Sequence, residues 1–377
     1  MLLTMLLLTL VIIAYVHHHF AAVPLLTEQP NKEPQRWPRL SVIVPACDEE
    51  MTIEPAMQTL LNQDYPNLEI IAVNDRSSDQ TGALLDKLAA TSPQLQVVHI
   101  EALPENWLGK VHALARGTER ATGEFLLFTD ADTHFEPGLL KRVLGWVNAE
   151  SLDHVTLAPT LHASSLALGT SLACFTQLFL AQLRMADVAA GRESNPIGIG
   201  AFNLVRREVF VDTPGWEWLR LEIADDVGLG QMMAQRSDRT VFAFAGDALH
   251  IAWYRTVSEL VHGLAKNAYP KMGHFNPIRT LGLIVVCPIA PAAFLYSFTT
   301  PLAGVSALIV LLTAVSARRL NQLGTAPLPT ALAPLAVPLF SWILLNSMVR
   351  ILREGGVRWR DTHYPTALLK ANQRVQL

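Results

Sequence analysis

Residues 40–50, LSVIVPACDEE, form a β-branched apolar run that contains a proline and is followed by acids. After this run, three similar apolar segments predict further strands. The segments between the strands have the apolar spacing of helices. The further strands are LEIIAVND (68–75), LQVVHI (95–100) and EFLLFTDAD (124–132), and the helices cover 49–62, a segment ending near 91, and 109–121. Alternation of this kind, with nearly continuous apolar strands, predicts an α/β fold with a mostly parallel sheet covered on both faces.

The composition divides the chain into regions that differ in charge. Hydrophobic residues make up 50% of the sequence and charged residues only 16%, whereas a soluble domain averages about 25% charged residues. The charges concentrate in the middle, which predicts a soluble domain over 38–275 between membrane segments. A net charge of -4 without a basic run excludes nucleic acid as a partner. The isolated Cys47, Cys174 and Cys287 predict free thiols in a reducing compartment.

Apolar stretches at both ends predict a multi-pass protein of the inner membrane. Residues 1–26 are expected to be an uncleaved anchor, and the basic residues that follow it place the soluble domain in the cytoplasm. Region 278–350 contains apolar stretches near 280–298, 301–317 and 328–349, followed by a basic cytoplasmic tail over 351–377. Three full spans would export that tail, so we expect one stretch, or the proline-containing pair, to be re-entrant. Segment 164–187 predicts either a buried helix or an amphipathic helix on the bilayer.

Acids follow the predicted strands, where parallel sheets bind their ligands. Asp130 and Asp132 are two residues apart, which at a strand end would direct both side chains to one side. Paired carboxylates suit Mg²⁺ or Mn²⁺, which prefer oxygen ligands and share them with phosphates. The alternative is an acidic turn that caps the next helix. The acids after all the strands should form one site, and they are Asp48, Glu49, Asp75, Asp79, Asp130 and Asp132.

Four other segments are candidates for binding or catalysis. Asp75 is placed to contact a base or ribose, while Asp79 fits a helix cap better, and residues Ser77 to Gln80 match a capping box. Gly109 and Lys110 could meet a phosphate, or could simply begin a helix. Asp225 and Asp226 either act as a general base or occupy a helix N-terminus. Trp253, Tyr254 and Arg255 could line an acceptor and diphosphate site or belong to an interfacial belt.

Taken together and in this order, these segments resemble family 2 glycosyltransferases with a GT-A fold, over about residues 39–275 and again at VRWRDTHY (357–364). The branch that looks most similar is the membrane-associated one linked to carotenoid and hopanoid biosynthesis. The matching segments are VPACDEE, VNDRSSDQT, the WLGK loop, LLFTDADTHFEPG, GIGAFNLVRREVF, ADDVGLG and YRTVSELVHGLAKN.

The resemblance implies a role for each matching position. The nucleotide-sugar would be held by Pro45, Asp48, Glu49, Asp75, Lys110 and Asp130, and the metal by Asp132 with Asp130. Asp226 aligns with the base, although Asp225 stands where the family usually has Glu. The acceptor wall would include Gly198, Gly200 and Phe202 with Arg206 and Arg207, unless these residues form an ordinary strand and helix.

By the same analogy, the enzyme would invert the anomeric centre. It would add a single sugar, because the Gln-x-x-Arg-Trp motif of processive members is absent from the sequence. The expected partners are a UDP- or GDP-sugar, a lipid or terpenoid-type acceptor and the membrane. Sugar transfer to polyprenyl phosphate is the main alternative. A nucleotidyltransferase would need a glycine-rich basic loop where this chain has ACDEE, and a non-enzymatic scaffold would be expected to have lost the acids.

Overall fold

The computed structural model describes residues 2–189, 197–304, 306–307, 326–359 and 362–375. The strands are β1 (Leu40–Ala46), β2 (Leu68–Asp75), β3 (Leu95–Ile100), β4 (Phe125–Phe128), β5 (Thr133–Phe135), β6 (His154–Ala158), β7 (Thr160–Leu161), β8 (Asn203–Arg206), β9 (Thr240–Phe244), β10 (Leu249–Ile251), β11 (Gly356–Trp359) and β12 (Thr362–Pro365). The helices are α1 (Leu2–Ala21), α2 (Ile53–Leu61), α3 (Thr81–Ala89), α4 (Gly109–Arg120), α5 (Leu139–Glu150), α6 (Leu166–Gln182), α7 (Met185–Ala189), α8 (Arg207–Val211), α9 (Gly215–Leu219), α10 (Asp225–Ala234), α11 (Val257–Lys271), α12 (Pro277–Val286), α13 (Ile289–Ser297), α14 (Pro327–Leu332), α15 (Val337–Glu354) and α16 (Thr366–Ala371).

The chain divides into two compact units. One, which we call the sheet unit, comprises Pro24–Thr160 and Ser194–Ala252. The other, the helical unit, comprises Met1–Val23, Leu161–Glu193 and Trp253–Leu377. The N-terminal helix and segment 164–187 therefore cluster with the C-terminal helices, whereas the sequence had suggested an uninterrupted domain over 38–275.

The sheet unit contains a seven-stranded sheet of order β3-β2-β1-β4-β8-β6-β9. The first four positions are parallel, and β8 runs antiparallel to both of its neighbours. Six of the seven residues of β1 are buried, as expected for a strand covered on both faces. The expectation of a mostly parallel α/β sheet is confirmed. The core beside this sheet includes Trp146 and Phe202, whose side chains are fully buried.

The helical unit has its own apolar core. Residues from α6, α11 and α15 form it, and they are Leu168, Leu172, Leu260, Leu264, Ala268, Ile343 and Leu344. Segment 164–187 therefore contributes buried side chains through α6. The other face of this helix exposes Leu178, and at its first turn Leu166 is exposed as well.

Two segments of the helical unit are long and apolar enough to cross a membrane. They are Pro277–Ser297 and Pro327–Glu354, with mean hydropathy 2.0 and 1.8 over their most apolar windows. Core helices of soluble proteins can meet the same criterion, but these windows are only 18% and 33% buried. Most of the predicted stretch 301–317, together with Arg318, Arg319 and Arg360, lies outside the described residues.

Candidate active site

The register of the sheet brings three loops to one edge. Ala46 pairs with Asn74, and Ile43 pairs with Phe128, so the loops after β1, β2 and β4 all leave the sheet on the same side. Because β8 is antiparallel, its first residue, Asn203, lies at this edge opposite Phe128. The carboxyl ends of the parallel strands therefore form the candidate site that the acids in the sequence predicted.

A small, open cleft lies at this edge. Its walls combine acidic, cationic and apolar groups from β1, β4, β8, α4, α9 and α10. The lining residues are Pro45, Lys110, Leu114, Phe128, Thr129, Asp130, Gly200, Asn203, Trp216, Asp225, Asp226 and Leu229. Pro45, Lys110, Asp130, Gly200, Asp225 and Asp226 are thus brought together as the sequence predicted.

Lys110 is the cation of this cleft. Its Nζ lies 2.7 Å from Asp130 Oδ1 and 3.7 Å from Asp225 Oδ2. Burial would lower the pKa of Lys110, but the negative charges of Asp130, Asp225 and Asp226 outweigh burial and raise it above the ordinary value. The amine is therefore a permanent positive charge among carboxylates, a suitable environment for a phosphate group.

Asp132 belongs to a turn and not to a strand. β4 ends at Phe128, so the alternation expected for Asp130 and Asp132 does not apply. The turn nevertheless keeps the two carboxylates close enough to repel. Burial, followed by the negative charges of Asp130 and Glu49, raises the pKa of Asp132 to about 7.

Asp225 and Asp226 are the first two residues of α10, as expected. Burial raises the pKa of Asp225 to about 7, although Lys110 opposes the shift. The pKa of Asp226 is also raised by burial, again against Lys110. Two backbone N–H groups orient its carboxylate: Gly200 N donates to Oδ2 at 2.9 Å and Val227 N to Oδ1 at 2.8 Å.

Three glycines allow the close approach of these groups. A Cβ at Gly200 would lie 2.4 Å from Asp130 Oδ2, and one at Gly109 would lie 2.4 Å from Asp75 Oδ2. A Cβ at Gly198 would lie 1.9 Å from the Asp226 main-chain oxygen. Any side chain at these positions would therefore displace an acid of the site.

The loops after β1 and β2 are joined by reciprocal hydrogen bonds. Ser78 N donates to Asp48 Oδ1 at 2.8 Å, and Gln80 N donates to Glu50 Oε2 at 3.1 Å. In return, Glu50 N donates to Asp79 Oδ2 at 3.0 Å. We call this set of contacts the loop latch.

The expected capping box at Ser77 to Gln80 is wrong. α3 begins at Thr81, and its flanking residue Gln80 makes no side-chain cap. Asp79 instead accepts from Thr81 N at 2.9 Å. Ser77 Oγ accepts a hydrogen bond from Asp48 N in the loop after β1, so this hydroxyl does not cap α3.

Asp75 is buried at the end of β2 and makes a two-point ion pair with the next residue. Arg76 Nε and Nη2 donate to its two carboxylate oxygens at 2.8 and 3.1 Å. Arg76 has φ of +55°, a left-handed conformation uncommon for this residue type. The turn thus presents a carboxylate and a guanidinium together, and only the carboxylate was predicted.

Three predicted residues of the sheet unit lie away from the cleft. Phe202 is fully buried in the core, so it cannot line an acceptor wall. Arg206 pairs with Phe125 at the opposite end of β4, where its Nε donates to the buried Asp153 at 2.6 Å, and Arg207 follows at the start of α8. Trp253, Tyr254 and Arg255 belong to the helical unit, where the two aromatic rings join its core.

Six lining residues were not among the predicted site residues, and they are Leu114, Phe128, Thr129, Asn203, Trp216 and Leu229. Trp216 of α9 donates from Nε1 to Thr118 Oγ1 at 2.9 Å and packs edge-on against Phe128, 4.8 Å between ring centroids. Asn203 lies at the start of β8 and contacts the main chain of Asp226. Asn203 belongs to the matching segment GIGAFNLVRREVF, but only this tertiary contact shows its role, and Trp216 has no local signal.

The site offers oxygen ligands suited to a hard divalent cation. Burial, followed by repulsion from the nearby Asp130, raises the pKa of Asp132, and a bound cation would relieve that repulsion. Among the described residues, no three His, Cys, Asp or Glu side chains are arranged to hold a metal by themselves. Mg²⁺ and Mn²⁺ need only one or two carboxylates when substrate phosphates complete the shell. The residues therefore fit a metal that arrives with a diphosphate.

Comparison with known proteins gives a family match for part of the chain. Residues 41–213 match the model of the family described as glycosyl transferase family 2. A solved mannosyltransferase from Pyrobaculum calidifontis, in complex with GDP-Man and Mn²⁺, superimposes with a TM-score of 0.55 at 20% identity, covering 93% of this chain and 99% of that one. This likeness supports the GT-A fold.

Curated relatives match over about a third of the chain. A probable glycosyltransferase of Bacillus subtilis is 35% identical over 31% of this chain and 29% of its own length. The GalNAc(5)-diNAcBac-PP-undecaprenol beta-1,3-glucosyltransferase of Campylobacter jejuni is 31% identical over 31% of this chain and 37% of its own. The beta-monoglucosyldiacylglycerol synthase of Synechocystis is 36% identical over 33% and 25%. Residues 41–213 are therefore similar to family 2 glycosyltransferases, and the structural likeness supports the GT-A fold. The chain spans only 25% to 37% of the length of these curated relatives.

Proposed function

We propose that this protein is a membrane-bound, inverting glycosyltransferase that uses Mg²⁺ or Mn²⁺ to move one sugar from a UDP- or GDP-sugar to a lipid or terpenoid-type acceptor. The observation that carries this proposal is the cleft that gathers Lys110, Asp130, Asp225 and Asp226 at the carboxyl edge of the sheet. We divide these residues into a donor side, which would bind the nucleotide-sugar, and an acceptor side, which would bind the acceptor.

The donor side comprises the loop latch, Asp75, Lys110 and the turn with Asp130 and Asp132. Asp75 lies at the end of β2, where a carboxylate can accept hydrogen bonds from a ribose or base. Asp130 and Asp132 would hold the metal on the diphosphate, where it would neutralise the charge that develops on the leaving group. The Lys110 amine, which contacts Asp130, would also interact favourably with the negative charge of the diphosphate.

The acceptor side is formed by the start of α10. Asp226 would accept the proton of the acceptor hydroxyl. The hydroxyl oxygen would then form a bond to the anomeric carbon, while the bond between the anomeric carbon and the diphosphate breaks. The electron pair leaves with the nucleoside diphosphate. Direct attack from the face opposite the leaving group inverts the anomeric centre. Asp225 lies 3.7 Å from Lys110 and is 4% exposed, so it is less accessible to an acceptor.

The helical unit supports a membrane location. Its helices expose many large hydrophobic side chains, including Leu7, Val11, Ile278, Val285 and Trp342. In the sheet unit, the exposed large hydrophobic residues among those described are Met51 and Val211. We infer that the helical unit lies in the inner membrane as a multi-pass element, with the sheet unit in the cytoplasm and a re-entrant stretch in the C-terminal region. Protease protection of a C-terminal tag tests this arrangement, and an exported tail would contradict it.

Transfer to polyprenyl phosphate is the second candidate. The name of the Campylobacter jejuni relative describes a saccharide carried on undecaprenyl diphosphate, with a 1,3 linkage that forms on a sugar hydroxyl, and the Synechocystis relative is named for a diacylglycerol product. Neither name describes transfer to a phosphate, so this candidate rests on the polyprenyl carrier alone. The two reactions give different products, because a hydroxyl acceptor yields a glycoside and a phosphate acceptor yields a glycosyl phosphate. Mass spectrometry of the lipid product separates them.

The deciding experiment is transfer from a panel of UDP- and GDP-sugars by the detergent-purified full chain, with and without Mn²⁺, in bacterial lipid extract. We expect metal-dependent release of one nucleoside diphosphate and the appearance of one new glycolipid. Asp132→Asn is the matched inactive control. Turnover that is unaffected by EDTA would overturn the metal assignment, and silence with every donor from folded protein would overturn the proposed activity.

A further inference from the structure

Asn203 connects the central sheet to the first turn of α10. It is the first residue of β8 and its side chain is buried. The amide nitrogen Nδ2 donates to the main-chain oxygen of Asp226 at 3.2 Å. The amide oxygen Oδ1 lies 2.6 Å from Nε2 of His154, a fully buried residue on the adjacent strand β6. One side chain thus bridges two strands and the helix that carries the proposed base.

The partners of this amide determine its orientation. A carbonyl oxygen only accepts, so the nitrogen of Asn203 must face Asp226 and its oxygen must face His154. Nε2 of His154 must then carry the proton. Thr156 Oγ1, 3.1 Å from the same nitrogen, can share this proton as an acceptor. The tautomer therefore follows from the network.

His154 stays neutral over the working pH range. Burial lowers the pKa of His154 to about 4, although the contact with Asn203 opposes the shift. Its Nδ1 is buried and has no hydrogen-bond partner among the described residues, as expected for a ring that carries a single proton. The donor that faces Asn203 is consequently present at neutral and mildly acidic pH.

The contact between Asn203 and Asp226 is sterically protected. A Cβ at Gly198 would lie 2.1 Å from Asn203 Nδ2, and one at Gly230 would lie 2.2 Å from Gly198 N. The backbone of residues 197–198 therefore passes directly over this contact, against α10. A small displacement of α10 would break the bond to Asn203.

We propose that Asn203, held by His154, is a positioning residue that fixes the main chain of Asp226 and thereby directs its carboxylate toward the acceptor hydroxyl. This inference rests on the proposed function, in which Asp226 is the base. Gly200 N and Val227 N orient the carboxylate itself. The Asn203 amide adds a third restraint, on the main chain.

Loss of this restraint should affect the chemical step more than donor binding. Misplacement of a reacting group by about 1 Å can lower the rate about 100-fold. We therefore expect Asn203→Ala to lower kcat by about 10- to 100-fold while the KM for the nucleotide-sugar stays within about twofold of the wild-type value, since donor contacts lie elsewhere.

Two His154 variants separate hydrogen bonding from packing. The Nε2 of a glutamine side chain can take the place of the imidazole Nε2–H, so His154→Gln should retain most of kcat. His154→Phe fills the space but donates no hydrogen bond, so it should resemble Asn203→Ala. Equal losses in the Gln and Phe variants would overturn the role of the donor.

The closing experiment is a double-mutant cycle on the full chain in detergent, with kcat, donor KM and nucleotide binding measured for each variant. If Asn203 acts through Asp226, then Asn203→Ala should cause no further loss in an Asp226→Asn background, whereas an independent structural role would give additive losses. An inactive wild type would refute the proposed function, and an active wild type with unchanged kcat in Asn203→Ala would refute only this inference. Should Asn203→Ala fail to bind nucleotide, the His154 pair decides the question.

Discussion

Lys110 Nζ lies 2.7 Å from Asp130 Oδ1 at the centre of the cleft. The same amine is 3.7 Å from Asp225. One cation therefore compensates acids from two separate parts of the chain, the turn after β4 and the start of α10. The proposed donor side and the proposed base are thus electrostatically linked before any substrate binds.

Removal of this cation should affect both stability and turnover. Breaking a fully buried ion pair costs about 3–5 kcal/mol, and the partial exposure of Lys110 reduces the expected loss to about 1–3 kcal/mol for Lys110→Met. We also expect a large fall in kcat, since the diphosphate loses a counter-charge. Denaturant unfolding and steady-state kinetics measure the two effects. Lys87→Met, on an exposed pair with Glu54, is the control, and equal effects in both variants would contradict the prediction.

Asp132→Asn should make the protein inactive but more stable at pH 8 without metal. The folded-state pKa of Asp132 is about 7, above the ordinary aspartate value of 3.8. The folded state therefore binds more protons than the unfolded state between these values, and stability contributed by this group falls as pH rises through about 7. The amide side chain of Asp132→Asn does not ionise, so this loss of stability does not occur in the variant. We expect the Tm difference between Asp132→Asn and wild type to be larger at pH 8 than at pH 5. The exposed Asp212→Asn should show the same Tm difference from wild type at both pH values.

The two aspartates of α10 should differ in their kinetic effects. General acid–base catalysis contributes about 10²–10⁴-fold, so Asp226→Asn should lower kcat by that order while nucleotide binding persists. Asp225→Asn should be milder, because Asp225 is nearly inaccessible and pairs with Lys110. Calorimetric nucleotide titration accompanies the kinetics. The reverse ranking would reassign the base to Asp225.

Acid should destabilise the wild type more than His154→Gln. The pKa of His154 is about 4 in the folded protein, below the ordinary histidine value of 6.5. Between these two pH values the unfolded chain binds a proton at His154 that the folded chain does not. Stability is therefore lost as pH falls from 6.5 towards 4, by up to about 3 kcal/mol. Glutamine does not titrate and should flatten this part of the Tm profile. His262→Gln, on an exposed side chain, should follow the wild type.

The local pattern of the sequence was sufficient for the sheet and for its functional edge. The predicted strands from 40 to 128 are present because each is an unbroken apolar run that only a doubly covered sheet can bury. Asp48, Asp75 and Asp130 were singled out for the same reason, since each lies at or just after the end of such a run, whereas Asp225 and Asp226 begin α10. Lys110 was also found, at the first turn of α4.

Contacts between distant segments could not be predicted in this way. Arg206 was assigned to the acceptor wall because of its neighbours in the sequence, yet the antiparallel direction of β8 carries it to the opposite edge, where it pairs with Asp153. Ser77 was assigned to a helix cap, but a hydroxyl in a turn has several nearby donors, and Asp48 N from the adjacent loop was the one it accepted. His154 has no local signal, and Asn203, although it belongs to the matching segment GIGAFNLVRREVF, is linked to Asp226 only by a tertiary contact.

The loop latch has a consequence for how the nucleotide would bind. Ser78, Gln80 and Glu50 hold the two loops together through bonds internal to the protein. The conformational entropy of these loops is therefore lost when the chain folds and not when the ligand arrives. A nucleotide meets a rigid receptor at this edge, so its association rate should depend on diffusion and orientation, without a slow closing step of these two loops.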